Sequence, residues 1–219
     1  MIREYPCPAE RFQRDVATHE MTVLRDDGVS RHLQFKRPGD SSYWFDVITW
    51  DGRLYIGGDC GAFVFTRLHD MFEFFRGDEV RINPPYWAEK LVASERDGFE
   101  KFSWDKFEAD VKDYFDQHWA TEIPGEDADD NDRAEYVDHC AKRDECWVEV
   151  REAMNEPDEY GAVAFIRDFE HDGFYFEDWE RTSMEYTFRF IWNCRAIVWA
   201  IDKYDASKVT TPATEASSS

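Results

Sequence analysis

Residues 22–66 place apolar and polar side chains in short alternating runs, the pattern of β-strands. Asp27-Gly28 and Asp51-Gly52 each separate two such runs. Asp-Gly favours a tight hairpin because both turn residues must adopt positive φ. The pattern therefore predicts an antiparallel meander of about five strands, at residues 22–26, 29–36, 43–50, 53–56 and 62–66.

The predicted strand 43–50 differs from the strand before it. Val29, Leu33 and Phe35 alternate with polar residues, so one face of strand 29–36 is expected to contact water. Strand 43–50 is apolar on both faces, which favours a central strand covered on both sides. Asp46 interrupts this apolar run. Because an unpaired buried carboxylate is costly, we interpret Asp46 as a partner in a structural salt bridge or a sheet-edge contact.

From residue 68 the apolar spacing becomes helical, as in Leu68, Met71 and Phe72. Ser103 has the form of a helix N-cap. The predicted helices are a short one at 8–19, one that ends near Gly77, one that Asn83 opens and that carries Trp87 and Leu91, and one that begins at Ser103.

The last predicted helix, about 184–204, is apolar on nearly every side, which indicates burial against the sheet. The predicted class is therefore α+β, an antiparallel β-meander packed against a buried C-terminal helix, with additional acidic helices. We expect one domain at 1–205, in which 22–66 form the sheet and 68–204 are mainly helical. Residues 206–219 are small and polar and predict a disordered tail.

The chain contains 48 Asp and Glu against 26 Lys and Arg, a net charge of −22. Residues 1–100 have a net charge of −5 and residues 101–219 one of −17, with the most acidic stretch at about 120–180. Residues 122–132 predict an exposed connection before an acidic helix at about 133–155. The candidate partner-binding residues are the carboxylates of this stretch, Glu126, Asp127, Asp129, Asp130, Asp132, Glu135 and Asp138.

This charge excludes some classes of function. A strongly negative surface repels nucleic acid and anionic membranes and attracts the basic grooves of other proteins. No apolar run approaches the roughly 20 residues that span a bilayer. We therefore expect a soluble, intracellular protein that binds neither nucleic acid nor a membrane directly. The five cysteines are odd in number and scattered, which is typical of reduced thiols.

No catalytic motif is present in the chain. His139-Cys140 with Cys146 offers metal-ligand types, but its spacing is not that of a zinc site. Acidic groups at 168–172 and 177–180 are of the type that holds Mg²⁺, yet such groups arise by composition in a chain this acidic. The glycine-rich segment 57–61 lacks the Lys-Ser/Thr of a phosphate loop and predicts a tight connection. We expect no catalytic residue, no metal and no cofactor.

Three segments resemble a known family, HEMTVLRDDG at 19–28, FDVITW at 45–50 and DMFEFFR at 70–76. Shorter matches lie at 14–16, 31–33, 64–67, 82–84, 86–87, 89–91, 185–187, 199–201 and 203–205. The resemblance is to uncharacterised proteins encoded by tailed bacteriophages and prophages, and it covers most of the chain outside 120–180. That family has no established activity, so the resemblance implies only a phage accessory protein in a bacterial host cytoplasm.

Charge and resemblance together lead to a binding hypothesis. The chain is expected to antagonise a host defence or nucleic-acid-handling complex, of anti-CRISPR or anti-restriction type, by imitating the phosphates of nucleic acid. The expected partner is a basic host protein or a nucleoprotein complex. Two alternatives stay open: a soluble phage interaction protein whose acidity is only solvated surface, and a carboxylate-metal hydrolase. Salt adaptation would also explain the charge, but the 17% aromatic content argues against it.

Overall fold

A computed structural model describes residues 5–76, 82–155 and 158–209 of the chain. In chain order the elements are α1 (Ala9–Val16), β1 (Glu20–Asp27), β2 (Ser30–Lys36), β3 (Phe45–Trp50), β4 (Arg53–Gly58), β5 (Gly61–Thr66), α2 (Met71–Phe75), α3 (Pro84–Ala88), β6 (Leu91–Ser94), β7 (Glu100–Phe102), α4 (Trp104–His118), α5 (Asp130–Ala153), α6 (Glu159–Asp168), β8 (Glu170–His171), β9 (Phe174–Tyr175), β10 (Met184–Tyr186) and α7 (Phe188–Val209).

The chain divides into two compact units. The first contains residues 1–101 and 186–219, and we call it the sheet unit. The second contains residues 102–185, and we call it the acidic unit. The stretch 120–180, which the sequence distinguishes by its charge, belongs entirely to the acidic unit.

The α+β class and the antiparallel meander are confirmed in the sheet unit. Strands β1 to β5 pair in chain order, and β6 adds a sixth strand beside β5. Asp51 and Gly52 connect β3 to β4 with φ of 37° and 74°, as the Asp-Gly signal predicts. The assignment of Leu91 to a helix is wrong. Helix α3 is capped by Asn83 but ends at Ala88, and Leu91 pairs with Phe65 of β5.

Helix α7 supplies the core against one face of this sheet. Phe190 packs edge-on against Phe63 with ring centroids 5.4 Å apart, and Trp192 packs edge-on against Phe45 at 5.5 Å. All four rings are buried. The predicted burial of the last helix against the sheet is therefore confirmed.

The predicted bounds of this last helix, 184–204, are wrong at both ends. The helix begins at Phe188, where Thr187 Oγ1 accepts a hydrogen bond from the Phe190 N–H, and it continues to Val209. Residues 206–209, expected in a disordered tail, are thus helical. The rest of that expected tail, 210–219, and the expected helix end at Gly77 lie outside the described residues.

The opposite face of the sheet is more open than expected. The prediction that β3 is covered on both sides is wrong, because Asp46 and Ile48 are half-buried and Trp50 is 40% exposed. Asp46 has structural partners on the neighbouring strand: it accepts a hydrogen bond from Gln34 Nε2 at 3.2 Å and lies 3.4 Å from His32 Nε2. These contacts give Asp46 partners within the sheet. Because the contact with His32 is an ion pair only with a protonated imidazole, the salt-bridge interpretation of Asp46 stays a prediction.

The glycine-rich segment 57–61 is the tight connection that was predicted. Gly58 and Gly61 pair across a two-residue loop between β4 and β5. A Cβ on Gly58 would lie 2.1 Å from the carbonyl oxygen of Trp44, so only glycine fits this position. The glycines of this segment allow the tight hairpin between β4 and β5.

A buried ion pair ties the sheet to α2. The Arg31 guanidinium donates two hydrogen bonds to the Asp70 carboxylate, both at 2.9 Å, and lies 4.5 Å from the centroid of the Phe72 ring. Asp70 is also the N-cap of α2 and accepts from the Phe72 N–H. Burial by itself raises the pKa of Asp70, but the hydrogen bonds from Arg31 and Phe72 outweigh burial and lower this pKa below its usual value.

We predict that Asp70→Asn lowers the free energy of unfolding by about 3 kcal/mol near neutral pH, because it leaves the Arg31 charge buried without its counter-ion. Asparagine also caps helices well, so the substitution removes the negative charge of Asp70 and keeps its capping role. A lowered pKa in the folded state stabilises the protein above the unfolded-state pKa, and this contribution is lost as pH falls through the folded pKa. Urea unfolding should show a large difference from wild type at about pH 7, and this difference should shrink as the pH is lowered through the folded-state pKa of Asp70. Equal stabilities at neutral pH would contradict this account.

The acidic unit has an aromatic core of its own. Helix α4, capped by Ser103 as predicted, buries Phe107 and Phe115 against Phe174 and Phe176. Helix α5 adds Cys146 and Val150, and α6 adds Ala162. The predicted start of the acidic helix at 133 is wrong, because α5 begins at Asp130. The composition of this stretch predicts a loop, but Asp129 is the N-cap of the helix, and Asp130 and Asp132 lie in its first turn.

Candidate functional site

The net charge of the chain is concentrated in one unit. The acidic unit contains 27 acidic and 8 basic residues, a net charge of −19. The larger sheet unit contains 21 acidic and 18 basic residues, a net charge of only −3. Nearly all of the excess negative charge therefore lies in residues 102–185.

The structure brings the seven candidate carboxylates together at the start of α5. All seven are exposed: Glu126, Asp127, Asp129, Asp130, Asp132, Glu135 and Asp138. They occupy the loop before the helix and its first nine residues, and we call residues 126–138 the acidic segment. The buried residues of α5, Cys146 and Val150, lie in its second half, so no residue of the acidic segment is buried. The first half of α5 accordingly has no buried face, and its apolar side chain Val137 is exposed as well.

Some of these carboxylates have roles in folding. The Asp129 side chain is the N-cap of α5 and accepts hydrogen bonds from the N–H groups of Asn131 and Asp132, both at 2.9 Å. Asp132 completes a capping box by accepting from the Asp129 N–H at 3.3 Å. Asp138 pairs with Lys142 one turn along the helix at 2.8 Å. These three residues stabilise the helix and also contribute negative charge to its surface.

Other carboxylates are not used in this way. Among the residues that the structure describes, the side chains of Glu126, Asp127 and Asp130 show no hydrogen bond or ion pair. Glu126 and Asp127 contribute charge to the surface without stabilising a local contact, whereas Asp130 lies in the first turn of α5, where a negative charge stabilises the helix. Glu126 and Asp127 can therefore be changed without removing the cap of α5, a property that the sequence alone does not show.

The helical part of the acidic segment has a charge spacing close to that of a nucleic-acid strand. Residues 130–138 contain four carboxylates and one basic side chain, Arg133. With a rise of about 1.5 Å per residue, this gives about one net negative charge per 4 Å of axis. One strand of a DNA duplex has a phosphate about every 3.4 Å. The likeness is one of charge density along the axis, since the four carboxylates project around the helix and Asp138 is paired with Lys142.

The acidic unit also contains an apolar cleft of about 700 Å³. One wall is a face of α6, formed by Glu159, Ala162, Val163, Ile166 and Arg167 at the i, i+3, i+4, i+7, i+8 spacing of a single helix face. The other lining residues are Phe102, Phe107, Phe176, Trp179, Arg181, Thr182, Ser183 and Met184. The volume falls within the range of pockets that hold small molecules.

The second wall is the loop 177–183. The C-terminal end of this loop is held by contacts with α4. Arg181 pairs with Asp113 at 2.6 Å and lies 3.8 Å from Asp110, and Ser183 Oγ donates to Asp110 at 2.8 Å. The hydrogen bond from Arg181 lowers the pKa of Asp113, so this carboxylate is charged at neutral pH. Two acidic side chains of α4 therefore hold the loop in place.

The same loop is also fixed at its beginning. Tyr114 Oη donates to the carbonyl oxygen of Glu177 and accepts from the Glu177 N–H, both at 2.9 Å. Within the loop Asp178 and Ser183 adopt positive φ, 48° and 49°, a region that few residues other than glycine enter readily. The wall of the cleft is therefore a constrained loop with a defined shape.

The residues considered as metal ligands do not converge. Among the described residues, no group of three or more His, Cys, Asp or Glu side chains is placed to hold a metal ion. His139 Nε2 lies 3.2 Å from the Trp119 carbonyl oxygen, and Cys146 is buried in the core. Asp168 pairs with the neighbouring Arg167.

Four of the five thiols are enclosed. Cys7, Cys60, Cys146 and Cys194 are buried, whereas Cys140 on α5 is half-exposed. Burial raises the pKa of the Cys7 thiol to about 11 and that of Cys60 to about 12. A thiol that stays protonated is a poor nucleophile.

We therefore predict that one thiol, Cys140, reacts with a thiol-specific chromogenic reagent in the native protein, and that the other four react only after unfolding. The count of reacted thiols before and after addition of denaturant measures this. Cys140→Ser should remove the fast phase. Rapid reaction of a second thiol in native Cys140→Ser would show that a buried cysteine is accessible.

Comparison with known proteins finds no family model, no curated protein and no solved structure that matches the chain. Within residues 5–76, 82–155 and 158–209, none of the helices combines the length and apolarity of a membrane span. Function is therefore inferred from the charge and geometry of the acidic unit.

Proposed function

We propose that this chain acts by binding, and that its acidic unit presents the acidic segment 126–138 to a basic protein or nucleoprotein complex. The observation that carries the proposal is the separation of charge, −19 in the acidic unit against −3 in the sheet unit. In this proposal the exposed helical turns at the start of α5 imitate a line of phosphates and occupy a groove that normally binds nucleic acid.

The main alternative is an acidic surface that serves only solubility. Solubility is favoured by a net charge away from zero, but it does not require that charge to be collected in one unit. Concentrated like charges destabilise a folded unit by repulsion. Glu126 and Asp127 add to this repulsion without a described contact that offsets it. A cost of this kind favours a role for these residues outside folding.

The resemblance of the chain to proteins encoded by phages and prophages suggests the setting. In a bacterial cytoplasm, defence complexes and nucleic-acid-handling complexes present basic grooves. The proposed activity is antagonism of one such complex, of anti-CRISPR or anti-restriction type. The carboxylate-metal hydrolase alternative has no comparable support from the geometry.

The test compares partner capture by three forms of the tagged full-length chain from bacterial lysate. One is wild type and one is Glu126→Lys with Asp127→Lys, which leaves the α5 cap intact. The control is Glu20→Lys with Glu73→Lys, two exposed carboxylates of the sheet unit that change the net charge equally. Wild type and control should retain the same basic, nucleic-acid-binding protein, and the 126/127 variant should lose it. Capture of one and the same set of proteins by all three forms would overturn the proposal.

A further inference from the structure

We propose that the apolar cleft of the acidic unit binds a bulky apolar side chain that projects from a basic segment of the partner. This inference rests on the proposed function and adds an apolar anchor to the charge recognition. The anchor would lie between α6 and the loop 177–183. Such an anchor fits an interface in which a few enclosed apolar contacts supply much of the affinity and charges supply orientation.

The first argument is the open apolar face of α6. Val163 is 62% exposed although Ala162 beside it is buried and Ile166 one turn later is half-buried. Phe107 and Phe176 close the inner end of the cleft and are almost fully buried. A side chain that enters here removes its own apolar surface and that of Val163 from water, which is favourable in proportion to the area buried.

The second argument concerns the charge of the ligand. The cleft contains two arginines, and both are already neutralised within the chain, Arg167 by Asp168 and Arg181 by Asp113. Glu159 also lines the cleft. An anionic ligand would have to displace these carboxylates inside a unit of net charge −19. The electrostatics therefore favour an apolar group attached to a cationic chain.

The third argument is that the cleft is preformed. The contacts of Tyr114 with Glu177, and of Asp110 with Ser183, fix both ends of the loop that forms one wall. The positive φ of Asp178 and Ser183 constrains the loop further. A wall that is already ordered lowers the entropy cost of binding.

The experiment uses two synthetic peptides, Lys-Lys-Lys-Leu-Phe-Lys-Lys-Lys and the same peptide with Ala-Ala at the centre, titrated calorimetrically into the full chain at low salt. The peptides have the same charge, so their difference reports the apolar anchor. Wild type should bind the Leu-Phe peptide about tenfold more tightly than the Ala-Ala peptide. Val163→Trp, which fills the mouth of the cleft, should remove this preference.

The matched control is Val148→Trp on α5, which makes the same change at a side chain that is 45% exposed and outside the cleft lining. It should keep the tenfold preference, and thermal unfolding should show that both variants are folded. Equal affinity of wild type for the two peptides would overturn the cleft inference. The proposed function would survive this result if Glu126→Lys with Asp127→Lys still weakened binding of the Ala-Ala peptide. Failure of both peptides to bind wild type would count against the cleft and the proposed function together.

Discussion

Replacement of Trp192 by aspartate should prevent the chain from accumulating as a soluble folded protein. Trp192 is fully buried in α7, packs against Phe12 and Phe45, and donates from Nε1 to Asp15 at 3.2 Å. Loss of a buried tryptophan costs about 3–5 kcal/mol, and an unpaired carboxylate in its place adds several more. The sum is comparable to the total stability of a typical domain, about 5–15 kcal/mol. Soluble yield and circular dichroism measure the outcome.

Trp50→Asp is the matched control for this experiment. Trp50 is 40% exposed at the end of β3, so its replacement should leave the chain soluble with a melting temperature near that of wild type. If Trp192→Asp also folds with an unchanged melting temperature, α7 is not the core of the sheet unit.

Reversal of Glu126 and Asp127 to lysine should weaken the affinity for the captured basic partner by about 10- to 100-fold. Each reversal replaces an attraction by a repulsion, and an exposed charge pair is worth on the order of 0.5 kcal/mol. The loss of two attractions and the gain of two repulsions therefore cost about 2 kcal/mol, which lies between tenfold and 100-fold in affinity. The partner affinity of the purified variant, measured by calorimetry, checks this value. Affinity equal to that of wild type would show that recognition lies outside the acidic segment.

The choice of residues in this variant depends on the structure. Reversal of Asp129 would remove the N-cap of α5, which typically costs about 1 kcal/mol, and would mix a loss of helix stability with a loss of binding. Glu126 and Asp127 precede the cap and leave it intact. The melting temperature of the 126/127 variant should therefore remain within a few degrees of the wild-type value.

The sheet unit was largely predictable because its local signals and its packing agree. The Asp-Gly turn signals between strand-like runs located β1 to β4, and the apolar surface of α7 located the element that covers the sheet. Strand β6 has four residues and follows directly after α3, so it shows no alternation that a sequence pattern can detect. Its pairing depends on the β5 edge that it meets, which only the folded chain provides.

The cleft of the acidic unit was not predicted, although part of its signal is present in the sequence. The spacing of Ala162, Val163 and Ile166 indicates an apolar helix face. Whether such a face is covered by the core or left open depends on the path of the loop 177–183. That path is set by Asp110, Asp113 and Tyr114, which lie more than sixty residues earlier in the chain. Contacts this distant leave no local pattern.

The central claim, that charge in the acidic segment drives partner binding, is tested most directly by the salt dependence of the dissociation constant. The measurement compares wild type, Glu126→Lys with Asp127→Lys, and the control Glu20→Lys with Glu73→Lys against the captured partner, from low salt to above physiological salt. Wild type and control should lose affinity steeply and in parallel as salt screens the interaction, and the 126/127 variant should bind more weakly with a shallower dependence. A salt-insensitive complex, or three superimposable curves, would contradict the claim and would show that the acidic segment is solvated surface.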